Sequence, residues 1–130
     1  MPPLAIAYLA AYVTFVSWTH VSELRSEGRA VLRVLGEAAG SACLLIAALT
    51  FWIRTSLGLS TLVLLGLFTV GCASFILEAI LACRELVADQ SLPVTGKWFA
   101  ATTGTALGLL VFSPLLYWGF SAAVLGRAIE

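Results

Sequence analysis

Two glutamates lie inside apolar segments of this chain, where a charged side chain is costly. Glu37 and Glu78 each lie near one end of a long apolar run, and an ionised residue near the centre of a membrane-spanning helix costs about 2.5–3.5 kcal/mol on insertion scales. Helical rise places both within about 5–8 Å of the same membrane boundary. Two carboxylates brought together in a low dielectric repel unless one binds a proton, a cation or a basic partner.

Basic and imidazole groups are predicted at the same level. Arg33 lies one helical turn from Glu37, at the i,i+4 spacing of an ion pair, and Arg84 and His20 lie at the ends of two other apolar runs. One interpretation is that five side chains form a binding vestibule for a proton, a cation or a substrate: Glu37, Glu78, His20, Arg33 and Arg84. The other is that Glu37 pairs with Arg33 and Glu78 with Arg84 or a neighbouring helix, so that the cluster only anchors the helix ends.

Four long apolar stretches must position these residues. The chain has 130 residues and is 61% apolar and 11% charged, whereas soluble domains are about 45–50% apolar and about 25% charged. A bilayer core of about 30 Å needs a helix of about 20 residues. We therefore predict an all-α, integral membrane four-helix bundle with up-down-up-down topology and short loops. It forms a single domain over residues 1–130, with spans at about 3–19, 34–53, 60–83 and 98–125.

Loop charges predict the orientation. Connections 20–33 and 84–97 carry five basic residues, against two in the rest of the chain, and cytoplasmic loops are enriched in Lys and Arg. These connections are therefore expected in the cytoplasm, with both termini on the opposite side. Pro93 and Gly96 are predicted to break the helix before a new start at residue 98. Tryptophan prefers the membrane interface, and all four tryptophans lie near predicted span ends: Trp18, Trp52, Trp98 and Trp118.

Small residues predict where helices pack closely. Glycine and alanine at spacing four let helix backbones approach each other in a membrane. Pro114 removes one helix hydrogen bond and is predicted to kink the fourth helix. The candidate close-packing faces, within the chain or between copies, are Gly36 and Gly40 on the second span and Ala100, Gly104 and Gly108 on the fourth.

Catalytic and cofactor patterns are missing from the sequence. There is no phosphate-binding glycine loop and no metalloprotease or serine-hydrolase motif, and three cysteines with one histidine predict neither a metal site nor a cofactor. A net charge of zero without a Lys/Arg run argues against nucleic acid. We expect a non-catalytic accessory or assembly subunit that packs against partner helices in the bilayer, as a homo-oligomer or in a larger membrane complex. The alternative is a small oligomeric transporter or channel that uses Glu37 and Glu78.

Overall fold

The chain folds into four helices. The computed structural model describes residues 1–25 and 31–125, with only the backbone described at 54–57. About 90% of the structure is helical, and no strand occurs among these residues. Each helix is long and apolar enough to cross a membrane, which confirms the predicted all-helical fold at this level. The helices are α1 (Pro3–Arg25), α2 (Val31–Leu57), α3 (Thr61–Ala88) and α4 (Val94–Ala123).

The helices extend beyond the predicted spans. Helix α1 continues to Arg25 instead of ending near residue 19, and α3 continues to Ala88 instead of residue 83. Hydropathy marks the part of a helix that suits a membrane, whereas Glu, Leu, Arg and Ala continue the helix because they are good helix formers. The prediction for Gly96 was wrong, because α4 begins at Val94 with Pro93 as its N-cap. Gly96 therefore lies in the first turn.

The turn between α3 and α4 is fixed by side chains. The hydroxyl and the backbone N–H of Ser91 donate to the Asp89 carboxylate at 2.6 and 2.8 Å, an arrangement typical of an Asx turn. These hydrogen bonds hold the pKa of Asp89 below its ordinary value. Lys97 donates from Nζ to the carbonyl oxygen of Val87 at 2.7 Å, which satisfies a carbonyl in the last turn of α3. At the other end of α3, Gly58 has a φ of 58°, a left-handed conformation that glycine adopts without a steric penalty.

Helix α2 is the centre of the bundle. It packs against α3, α4 and α1, and Gly40 lies against Ser74 while Leu44 lies against Gly71. The residue number rises from Gly40 to Leu44 along α2, whereas it falls from Ser74 to Gly71 along α3, so the two helices are antiparallel. The buried core of the bundle is Leu9, Tyr12, Leu44, Ala48 and Leu115.

Aromatic rings join the helices at one end of the bundle, which we call the aromatic end. The centroid of the Trp118 ring lies 5.5 Å from those of Tyr8 and Trp52, and those of Tyr12 and Phe112 are 5.7 Å apart. Edge-to-face pairs of this kind add about 0.5–1.5 kcal/mol each beyond their area burial. We call these five residues the aromatic cluster. Two of the four tryptophans therefore pack within the chain, whereas Trp18 and Trp98 are 75% and 71% exposed.

Helix α4 passes through Pro114 without losing helical structure. A proline cannot donate a backbone hydrogen bond, so the carbonyl of Leu110, four residues earlier, loses its usual partner. The hydroxyl of Ser113 donates to that carbonyl at 3.1 Å. A side-chain donor of this kind replaces the missing backbone hydrogen bond and allows proline inside a membrane helix. Non-helical dihedrals occur instead at Ile53 of α2, with φ −132° and ψ 33°.

Candidate functional site

The guanidinium of Arg33 lies among three carboxylates. Its Nε donates to Glu37 Oε1 at 3.1 Å and its Nη2 donates to Glu78 Oε2 at 3.2 Å, and its Nη1 donates to Glu85 Oε1. We call these four residues the carboxylate cluster and the surrounding end of the bundle the cluster end. The structure thus brings the two glutamates of the apolar runs to one arginine. Glu37 lies on Arg33 as the i,i+4 spacing predicts, and Glu78 lies on a residue of a neighbouring helix, one of the two partners expected for it.

Helical spacing explains this arrangement. Arg33 and Glu37 are one turn apart on α2, and Glu78 and Glu85 are seven residues, or two turns, apart on α3, so each pair shares a helix face. Arg84 is six residues beyond Glu78, which is about 240° around the helix, and it is exposed. Of the two partners expected for Glu78, the structure has the neighbouring helix and not Arg84. No ion pair joins Arg84 to an acidic residue in the described part of the chain.

The carboxylate cluster places three carboxylates around one guanidinium in the described part of the chain. The side chains of Arg33 and Glu37 are 22% and 10% exposed and that of Glu78 is 29% exposed, whereas Glu85 is more open at 56%. Partly buried charges are screened less by salt than surface charges. Carboxylate oxygens thus outnumber hydrogen-bond donors among the described side chains of this site.

His20 lies beside this cluster, at the far end of α1 from the aromatic cluster. Its Nδ1 is 3.7 Å from Glu23 Oε2, and both of its ring nitrogens are buried without a hydrogen-bond partner. Ligand atoms of His20, Glu23 and Glu37 lie within 4.8 Å of one another. Of the five predicted site residues, four lie close to one another at the cluster end, and Arg84 lies on another face of α3. The four are His20, Arg33, Glu37 and Glu78.

A cavity of about 580 Å³ opens beside the carboxylate cluster. Glu23, Glu37 and Glu78 border it, and its other walls come mainly from the apolar and small side chains of α2, α3 and α4. Phe75 and Phe112 supply aromatic surface, and their ring centroids are 4.7 Å apart. A volume of this size falls within the range of about 300–1,000 Å³ typical of small-molecule sites.

The glycines and alanine predicted to pack closely fall into two groups. A Cβ at Gly40 would lie 2.2 Å from Ser74 Cβ, so this glycine allows α2 and α3 to approach each other. A Cβ at Gly36 or Gly104 would meet nothing within 4 Å, and one at Gly108 would lie 3.9 Å from Phe75. Ala100, Gly104 and Gly108 line the cavity, so their small size leaves open space beside this face of α4, where no other helix of the described chain packs closely against Gly104.

Two site residues escaped the sequence pattern. Glu23 follows His20 by three residues, so it shares a face of α1 with it, and Glu85 follows Glu78 by two turns. Both spacings are readable in the sequence, but Glu23 and Glu85 lie in polar stretches where charged residues are ordinary.

One of the three cysteines borders the cavity. The thiols of Cys43, Cys72 and Cys83 are unbridged, and Cys83 is exposed and lines the cavity. The chain therefore has no disulfide among its cysteines. No protein-family model, no curated protein and no solved structure matches the chain.

Proposed function

We propose that this is an integral membrane protein whose four helices cross a bilayer in alternating directions. Support comes from the length and apolarity of each helix and from large apolar side chains on the outer surface, such as Leu4, Leu32 and Leu62 at 84%, 85% and 81% exposure. Lipid is the solvent such a surface requires. Connections 20–33 and 84–97 face the cytoplasm in this proposal, and both termini lie on the opposite side.

The proposed function is the binding and transport of a lipophilic cation. The observation that carries it is the cavity with carboxylates at one end and apolar walls along the rest. Three carboxylates, those of Glu23, Glu37 and Glu78, border the cavity. Aromatic faces such as those of Phe75 and Phe112 also attract cations. An inorganic ion would lose hydration against these walls without compensation. An organic cation with an apolar body fits both parts.

Transport requires more than one copy in this proposal. A single bundle of four helices encloses little interior, and α2 already fills its centre. A homo-oligomer would extend the cavity into a pathway. The protein then acts as a small oligomeric transporter with Glu37 and Glu78 as the groups that bind the substrate charge.

The test is binding of tetraphenylphosphonium to purified protein in mild detergent, followed by uptake into liposomes. We expect Glu37→Gln and Glu78→Gln each to weaken binding about tenfold or more, because about 1.4 kcal/mol of charge interaction corresponds to a factor of ten. Asp89→Asn is the matched control, since it removes the same charge from the exposed turn between α3 and α4. Equal affinity in all three variants, or equal binding of a neutral aromatic compound of the same size, would contradict the proposal.

A second candidate function is that of an accessory or assembly subunit. The observation that favours it is the face of α4 formed by Ala100, Gly104 and Gly108, where the structure leaves open space at Gly104 that a partner helix would fill. The test is the mass and composition of the detergent-extracted complex for wild type and Gly104→Leu. A monomer that co-purifies with no other protein, unchanged by the substitution, rules out this function.

A further inference from the structure

Three metal-ligating side chains converge where α1 meets α2 at the cluster end. His20 and Glu23 come from α1 and Glu37 comes from α2, and one ligand atom from each lies within 4.8 Å of the other two. His20 and Glu23 share a helix face because they are three residues apart. The antiparallel neighbour α2 then brings Glu37 to the same level.

The environment of His20 is a separate observation that points to a ligand. Both ring nitrogens are buried and neither makes a hydrogen bond, and the 3.7 Å between Nδ1 and Glu23 Oε2 exceeds hydrogen-bond range. A neutral imidazole carries one donor and one acceptor nitrogen, and leaving them unpaired away from water costs free energy. A bound metal ion would use the acceptor lone pair.

We propose that His20, Glu23 and Glu37 bind a divalent transition-metal ion, with Zn²⁺ as the best match. One imidazole nitrogen and two carboxylate oxygens make a three-ligand set with a fourth position for water. Imidazole suits zinc and its neighbours in the first transition row, whereas an all-oxygen set would suit magnesium or calcium.

The geometry requires only a small adjustment. Ligand atoms at about 2.0–2.1 Å from a tetrahedral zinc lie about 3.3 Å apart, so the present separations close by roughly 1 Å or a little more through side-chain rotation. Arg33 is a positioning residue, because it donates to Oε1 of Glu37 at 3.1 Å and so restrains the orientation of that carboxylate. Such outer partners orient the ligands of metal sites.

This metal site goes beyond the proposed cation transport and is separable from it. The cavity is bordered by Glu23, Glu37 and Glu78 but not by His20, so the two sites share Glu23 and Glu37, whereas His20 belongs to the metal site alone and Glu78 to the cavity alone. A bound divalent ion would add two positive charges beside the cavity and compete with an organic cation. Loss of His20 therefore tests the metal site alone, and loss of Glu78 tests the cation site alone.

The experiment is titration of the full chain, purified in mild detergent without a polyhistidine tag, with Zn²⁺ by calorimetry and with Co²⁺ by visible absorption. We expect one ion per chain and a Co²⁺ spectrum without thiolate charge-transfer bands. His20→Ala and Glu23→Gln should each weaken binding at least 100-fold. Glu85→Gln removes a neighbouring charge outside the triad and should change affinity less than threefold.

Two further measurements keep the result unambiguous. A variant with all three cysteines replaced by serine should bind the metal as wild type does, and circular dichroism without metal should show that His20→Ala and Glu23→Gln retain the helical fold. The proposal is overturned if wild type binds neither ion, if the two triad variants bind as tightly as wild type, or if binding is lost with the cysteines.

Discussion

Gly40 and Gly36 offer a direct test of how closely α2 and α3 pack. They lie one turn apart, but a Cβ at Gly40 would lie 2.2 Å from Ser74 Cβ and 2.3 Å from its Oγ, whereas one at Gly36 meets nothing within 4 Å. Nonbonded carbons pack at about 3.5–4.0 Å, so Gly40→Ala forces the helices apart by about 1.5 Å. The Cβ of Ser74 is fixed by the backbone, and rotation of the side chain cannot relieve this contact.

The expected cost follows from the difference between two alanines. Overpacking of this kind destabilises by about 1–3 kcal/mol, while the higher helix propensity of alanine returns about 1 kcal/mol at either position. The propensity gain cancels when Gly40→Ala is compared with Gly36→Ala. We expect the free energy of unfolding of Gly40→Ala to be about 1–3 kcal/mol below that of Gly36→Ala.

The assay is reversible unfolding in mixed detergent micelles with increasing dodecyl sulfate, followed by circular dichroism. Ser74→Gly removes the opposing Cβ, so Gly40→Ala introduced on that background should cost less than about 0.5 kcal/mol, and the double-mutant cycle should show a coupling above about 1 kcal/mol. The reasoning is refuted if Gly40→Ala and Gly36→Ala are equally stable, or if Ser74→Gly leaves the cost of Gly40→Ala unchanged.

Three other predictions concern polar groups. Arg33→Gln should lower the free energy of unfolding by about 1–2 kcal/mol, because it leaves partly buried carboxylates without their cation, whereas Arg84→Gln should change it by less than about 0.5 kcal/mol; the same micelle assay measures both, and equal losses would contradict the cluster. Ser91→Ala should raise the pKa of Asp89 towards its ordinary value in a carboxyl NMR titration. A depressed folded-state pKa stabilises the fold above the unfolded pKa of about 3.9, and that stability is lost as pH falls through the folded value. The variant should therefore be less stable than wild type above about pH 4, with the difference disappearing at lower pH, and an unchanged titration would refute this. Ser113→Ala should cost about 0.5–1.5 kcal/mol, because it removes the donor to the carbonyl that proline leaves unpaired, and an unchanged unfolding midpoint would argue against that hydrogen bond.

The depth of the ionisable residues was predictable from the sequence, but their partners were not. Helical rise places Glu37 and Glu78 at one level, and both lie on Arg33 in the structure. The sequence left two partners open for Glu78, Arg84 or a neighbouring helix. The angle of about 240° around the helix axis between Glu78 and Arg84 separates the first pair, whereas the residue on the neighbouring helix depends on how α2 and α3 are rotated. The sequence does not indicate which face of α1 packs against α2, so the approach of His20 to Glu37 could be seen only in the structure.

Close packing shows the same division. The GxxxG spacing identifies Gly36 and Gly40 equally, yet only Gly40 meets a neighbouring helix, because two residues four apart diverge by about 40° around the axis. Trp52 and Trp118 satisfy the pattern for residues at span ends, but their rings lie against each other. Hydropathy and spacing describe single helices, whereas these contacts depend on how two helices are oriented.

The uneven packing of the two ends has a mechanical consequence. Gly119 of α4 is held at the aromatic end, where an added Cβ would lie 2.8 Å from Phe68, and Ala100 lies beside the cavity at the other end. Nineteen steps of helical rise separate them by about 28 Å, so a swing of about 5° about Gly119 would displace Ala100 by about 2.5 Å. Such a swing would change the width of the cavity at the cluster end by about 2.5 Å while Gly119 stays beside Phe68, which would let one bundle hold occupants of different width.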